Sequence, residues 1–182
     1  AGFARSLVEL APPLETMTTA QQLRLARLAW SLEAREVGTS LARHVALDSA
    51  ADAGDVVHAA TLLRNGGRAD IALELMDDRA AEQDTGLAAC MLRASMRLQR
   101  GEAVSAAEVL DACPPAGSAG GASPEDEARW TLLRSRADDQ RGDARGALEW
   151  LDPLLERQPH DLDVRRYRAR YLLALGRSEE HT

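Results

Sequence analysis

The chain contains no lysine: all 22 of its basic side chains are arginine. Against 29 acidic residues the net charge is −7, so the basic excess of a general nucleic-acid binder is missing, and no nucleic-acid partner is expected. Aromatic residues are scarce, with one Phe, two Tyr and three Trp in 182 residues. Ile71 is the lone isoleucine. Such poverty in β-branched and aromatic side chains argues against sheet. No apolar run approaches the ~18 residues that a membrane-crossing helix needs, so no membrane insertion is expected in this segment. Cys90 and Cys113 are too few for a disulfide framework and lack the spacing of a zinc motif. Both are expected as small apolar core residues. What is abundant is alanine and leucine, 34 and 27 residues. With Arg and Glu they favour helix, and a hydrophobic fraction of 45% is too high for a disordered chain.

The alanines fall on a period. Ala4, Gly38, Ala72 and Ala106 follow at intervals of 34, and Ala147 comes 41 further on. Ala26, Ala60, Ala94, Ser135 and Ala169 are spaced 34, 34, 41 and 34. Gly67, Gly101, Gly142 and Gly176 are spaced 34, 41 and 34. All three ladders share one seven-residue excess, at the Pro/Gly/Ser-rich stretch 114–124. That stretch is a loop by composition, and an insertion there accounts for the shift.

Each period holds two amphipathic segments. Val56, Ala59, Ala60 and Leu63 share one face of a helix over 54–65. Asn65-Gly66-Gly67 ends it, and Ile71, Ala72, Leu75 and Met76 share a face of the next helix, over 69–82. The same spacing predicts helices at 3–11, 19–33, 36–48, 86–99, 103–112, 124–140, 144–157 and 161–175. Short connections make successive helices antiparallel neighbours. The small residues then sit where two helices of a hairpin cross closely, Ala60 with Ala72 and Ala94 with Ala106.

No chemistry-bearing constellation accompanies this pattern. His44, His58, His160 and His181 are dispersed and form no HxxxH or HExxH motif. Asp77-Asp78 and Asp138-Asp139 are adjacent pairs, which point ~100° apart on a helix and suit a solvated face. The glycines of Gly142-Asp143-Ala144-Arg145-Gly146 fit a helix–helix turn rather than a phosphate loop. No catalytic residue, metal site or cofactor is expected, and the segment is not expected to be an enzyme.

A two-helix period of 34 residues, with small residues at the crossings, Gly at the turn and Pro159 late in the repeat, resembles the tetratricopeptide repeat (TPR) family. The match is best from Gly142 to Pro159 and on through Ala169, Leu172 and Gly176. It departs at the family's early aromatic position, occupied here by Gln22, Val56 or Cys90. The resemblance implies an all-α fold, a right-handed α-solenoid of antiparallel helix pairs with about ten helices. Repeats would run approximately over 19–52, 53–86, 87–127 and 128–161, with half-repeats at 1–18 and 162–176. Neighbouring repeats of a longer chain are then expected partners at both ends.

The family binds protein partners on a concave face formed by the first helix of each repeat. Its partner-facing positions map onto three lines here. Leu23, Val57, Met91, Leu132 and Arg166 form one. Arg24, His58, Leu92, Leu133 and Tyr167 form the second, and Arg27, Thr61, Ser95, Arg136 and Arg170 the third. The partner-binding residues this implies are Arg24, Arg27, His58, Met91, Arg136, Arg166, Tyr167 and Arg170. They would make an apolar floor edged by arginines, suited to an acidic peptide. The implied function is a non-catalytic interaction scaffold. Two settings stay open: the periplasmic arrays of bacterial exopolysaccharide export, and an accessory region of a sulfotransferase or glycosyltransferase. Arg177–Thr182 resembles a translated sequencing adapter, which implies a non-native tail on a translated metagenomic fragment.

Overall fold

The structure, a computed structural model, describes residues 13–82, 86–115 and 122–179. Among the described residues it holds nine α-helices and no strand. They are α1 (Thr19–Ser31), α2 (Arg35–Leu47), α3 (Ala53–Asn65), α4 (Ala69–Glu82), α5 (Gly86–Gln99), α6 (Ala103–Asp111), α7 (Pro124–Gln140), α8 (Ala144–Arg157) and α9 (Leu162–Glu179). Each matches an expected helix to within a few residues, except at the end of α9. That helix runs on through Gly176, where the ladder predicts a stop, to Glu179. The expected helix over 3–11 lies outside the described residues. Helices α1–α4 belong to one compact unit and α5–α9 to a second.

In the first unit, Thr18 opens α1 with a capping box shared with Gln21. Asp52 caps α3 by accepting from the Asp55 amide at 2.8 Å. Helices α1 and α2 pack as one hairpin and α3 and α4 as the next, with α1 also against α3. Thr19 Oγ1 donates to Asp55 Oδ2 at 2.6 Å and ties the starts of α1 and α3 together. Ala26, Ala60 and Ala72, three rungs of the ladders, have no exposed surface.

Trp30 explains why Gly38 replaces the alanine of the other repeats. A Cβ at Gly38 would lie 3.0 Å from Trp30 Cδ2, and one at Gly66 would lie 2.8 Å from its Nε1. The indole occupies the space two methyl groups would take.

The turn between the helices of a hairpin carries a left-handed residue. Gly67, Gly101 and Gly142 adopt φ of 80°, 78° and 84°. Glu33, 34 residues before Gly67, takes the same slot with φ 60°. A side chain is costly in that conformation, by ~1–2 kcal/mol for an ordinary L-residue.

The second unit is built around α7. Met91, Ala94, Leu98, Ala106, Leu110, Trp130, Leu133 and Ala137 form one core cluster. Ala128, Ala147, Leu151, Leu154, Val164 and Tyr171 form another. Trp130 meets Trp150 edge to face, with ring centroids 5.5 Å apart. Both indoles are satisfied: Trp130 Nε1 donates to the Leu110 carbonyl at 3.2 Å and Trp150 Nε1 to Asp138 Oδ2 at 2.9 Å.

Asp138 is therefore not on a solvated face, as its sequence context suggests. It is buried, and it accepts from Arg134 as well as Trp150. Arg134 also donates to Asp111 at 3.0 Å, and its guanidinium lies 5.3 Å from the Trp150 ring centre. Burial by itself would lower the pKa of Arg134. The hydrogen bond and charge of Asp138, with help from Asp111, outweigh burial and raise it above the ordinary value. Tyr171, wholly buried, lies 3.4 Å from Ser135 Oγ through its hydroxyl. Burial pushes its pKa up, with the Ser135 bond opposing.

The cysteines depart from expectation as well. Cys90 and Cys113 are joined in a disulfide, with Cα atoms 6.6 Å apart. The reason is topological. They lie almost symmetrically about Gly101, so the α5–α6 hairpin brings the start of one helix beside the end of the other.

Candidate functional site

In the first unit three of the residues expected to face a partner lie on neighbouring helices. Arg24 and Arg27 stand one turn apart on α1, both exposed, and His58 is exposed on α3. Arg27 Nη2 lies 2.6 Å from His58 Nε2. A guanidinium can only donate, so the ring nitrogen accepts. The α1–α3 packing, fixed at its start by Thr19 and Asp55, sets these three side chains on neighbouring helices.

The second unit corrects the apolar floor. Met91 is 1% exposed and sits in the core with Ala94 and Leu98, so it offers nothing to a partner. Leu92 and Leu133 are buried too, and Leu132 packs against the α8–α9 cluster. The physical reason is that α5 is covered by both α6 and α7, so its apolar positions are used internally. Arg136 is half-buried on α7. Arg170 is exposed on α9 and pairs with Asp139 of α7 at 3.0 Å. Arg166 is exposed, pairs with Asp163 at 3.3 Å, and lies 5.5 Å from the ring centre of Tyr167. Tyr167 itself is half-buried against the second core cluster. The guanidiniums of Arg166 and Arg170 thus already face carboxylates of their own chain.

Sequence reasoning missed a cavity in the first unit. It has a volume of about 440 Å³ and is lined by Arg27, Trp30, Arg35, Leu62, Asn65 and Gly66. Its floor is apolar, from the indole and Leu62. Arg35, in the first turn of α2, is exposed and has no hydrogen bond or ion pair among the described residues. Trp30 Nε1 is buried without an acceptor. The available signal was the doublet Gly66-Gly67 beside an unusual Trp30/Gly38 pair. A second cavity of about 380 Å³ lies beside Leu47, Leu75, Asp78 and Arg79. The buried Arg79 donates there to the Ala51 carbonyl at 3.0 Å.

The helix order, the hairpin turns and the buried alanines describe one kind of architecture. Two solved chains share it. Both are titled as a putative kinesin light chain with nearly identical TPR-like repeats from Podosopora anserina, one of them a Q17M variant. TM-scores are 0.65 for the variant and 0.63 for the other, with 19% identity over 87% of each chain in both cases. The fold is a TPR-like repeat solenoid. At that identity the likeness concerns the fold alone. No family model matches the chain, and neither does any curated protein.

Proposed function

We propose that this chain is a non-catalytic protein-interaction scaffold that binds an acidic peptide segment. The observation that carries the reading is the exposed cluster of Arg24, Arg27 and His58 on the first helices of two successive repeats. Solenoids of this kind present side chains from successive repeats along one extended surface. Guanidiniums on such a surface select carboxylates, which they bind in a fork geometry. Arg136, Arg166, Tyr167 and Arg170 extend the reading to the second unit, where Asp139 and Asp163 compete for two of the arginines. As part of a longer array, the segment would space partners in a system such as bacterial exopolysaccharide export.

Panning a displayed peptide library on the full chain tests the binding reading. Enriched sequences should be rich in Asp and Glu and should be lost on Arg24→Glu/Arg27→Glu. A basic consensus, or no enrichment at all, would sink it. Recovery of the parent reading frame tests the setting: a β-barrel encoded downstream supports export, whereas a phosphate-binding strand–loop–helix does not.

A further inference from the structure

The cavity beside Trp30 combines three features. Its floor is apolar, made by the flat indole and the buried side of Leu62. Its rim carries two guanidiniums from different helices, Arg27 of α1 and Arg35 of α2. Arg27 reaches His58, but Arg35 has no partner among the described residues. The third feature is the amide of Asn65. Its oxygen already accepts from Arg64 Nε at 3.3 Å, which leaves the amide nitrogen as a donor. Arg35 and the Asn65 amide nitrogen are thus donors without an acceptor beside an apolar floor, and the volume of about 440 Å³ holds a side chain and its neighbour.

We propose that this cavity is a recognition pocket for an acidic side chain, Asp or Glu, carried next to a large apolar residue of a partner peptide. The proposal rests on the interaction-scaffold reading and gives it a specific subsite. The apolar side chain lies on Trp30 and Leu62. The carboxylate sits at the rim, bound by Arg35 and by the Asn65 amide nitrogen. The cavity is open, so the partner chain passes across its mouth in both directions, and a side chain fits better than a chain terminus. Beside the cavity, Trp30 Nε1 is a buried donor that lacks an acceptor.

The probe is a peptide acetylated and amidated at its ends, with two Glu-Phe pairs in a Gly/Ser background. Its twins carry Gln for Glu, one amidated and one with a free carboxyl terminus. Binding to the full chain is followed by fluorescence anisotropy, and the Trp30 indole N–H by NMR. The Glu peptide should bind, move the Trp30 signal, and lose at least tenfold in affinity on Arg35→Glu or Asn65→Ala. Arg43→Glu, an exposed change on the same helix outside the cavity, should leave affinity unaltered. Equal binding of the amidated Gln twin overturns the proposal, as does binding that needs the free carboxyl terminus. If the Glu peptide binds but Arg35→Glu has no effect, the pocket assignment falls while the scaffold reading stands. Absence of binding to 1 mM also overturns the pocket, and the library panning then decides the broader reading separately.

Discussion

The two units solve the same packing problem with opposite treatment of their polar groups. In the second unit both indole N–H groups find acceptors, and Asp138 gathers Arg134 and Trp150 around one buried carboxylate. Arg166 and Arg170 are paired with Asp163 and Asp139. A disulfide adds a covalent tie between α5 and α6. In the first unit Trp30 Nε1 and Gln22 Oε1 are buried without partners, and Arg35 stands unpaired among the described residues. A buried polar group left without a partner costs of the order of 1–3 kcal/mol. The second unit has satisfied both of its indoles within its own fold. The first leaves the indole N–H of Trp30 without an acceptor.

The contrast can be broken from either side. The largest effect is expected at Asp138. Asp138→Ala strips a buried carboxylate from the half-buried Arg134 and the indole of Trp150, and should lower stability of the second unit by about 3–5 kcal/mol. Urea unfolding followed at the Trp130–Trp150 pair measures it, and a loss under 1 kcal/mol would mean the network is ornamental. Next comes Gly66→Ala. The added methyl meets the indole of Trp30 and should cost about 1–3 kcal/mol in the first unit while closing the cavity. Unchanged stability there would show that Trp30 is free to move away. The smallest effect should be a gain. Glu33→Gly relieves the left-handed turn and should stabilise the first unit by about 1 kcal/mol, raising its thermal midpoint. A destabilised Glu33→Gly would point to a role for the carboxylate that outweighs the strain.

Much of the fold was legible because its repeating element is steric. Close helix crossings demand small side chains at fixed intervals, so Ala60, Ala72, Ala94 and Ala106 announce the hairpins wherever the rest of the repeat has drifted. Glu33 shows the limit of reading by residue type: its slot is visible only by register, since no glycine marks it. The partner face was harder. Met91, Leu92 and Leu133 occupy positions the resemblance places on the open side, yet α5 packs against α7 as well as α6 and uses them internally. Sequence pattern places an apolar residue on a helix face but does not say how many helices cover that face. Asp138 was hidden for a related reason, because its partners Arg134 and Trp150 come together only once α8 folds back on α7. The Trp30 indole occupies the space of two absent methyl groups, at Gly38 on α2 and at Gly66 just after α3.

The Cys90–Cys113 bond also bears on mechanics. A solenoid stretched from its ends lengthens as its helices unravel, and each freed residue contributes ~3.3–3.6 Å of extension. The bond spans 23 residues, so while it holds, their contour of roughly 80 Å cannot be released under load. A thiol reductant would restore that length. The hairpin around Gly101 thus behaves as a locked fold in an otherwise extensible spring, and the redox state of the surroundings sets how far the spring can be drawn.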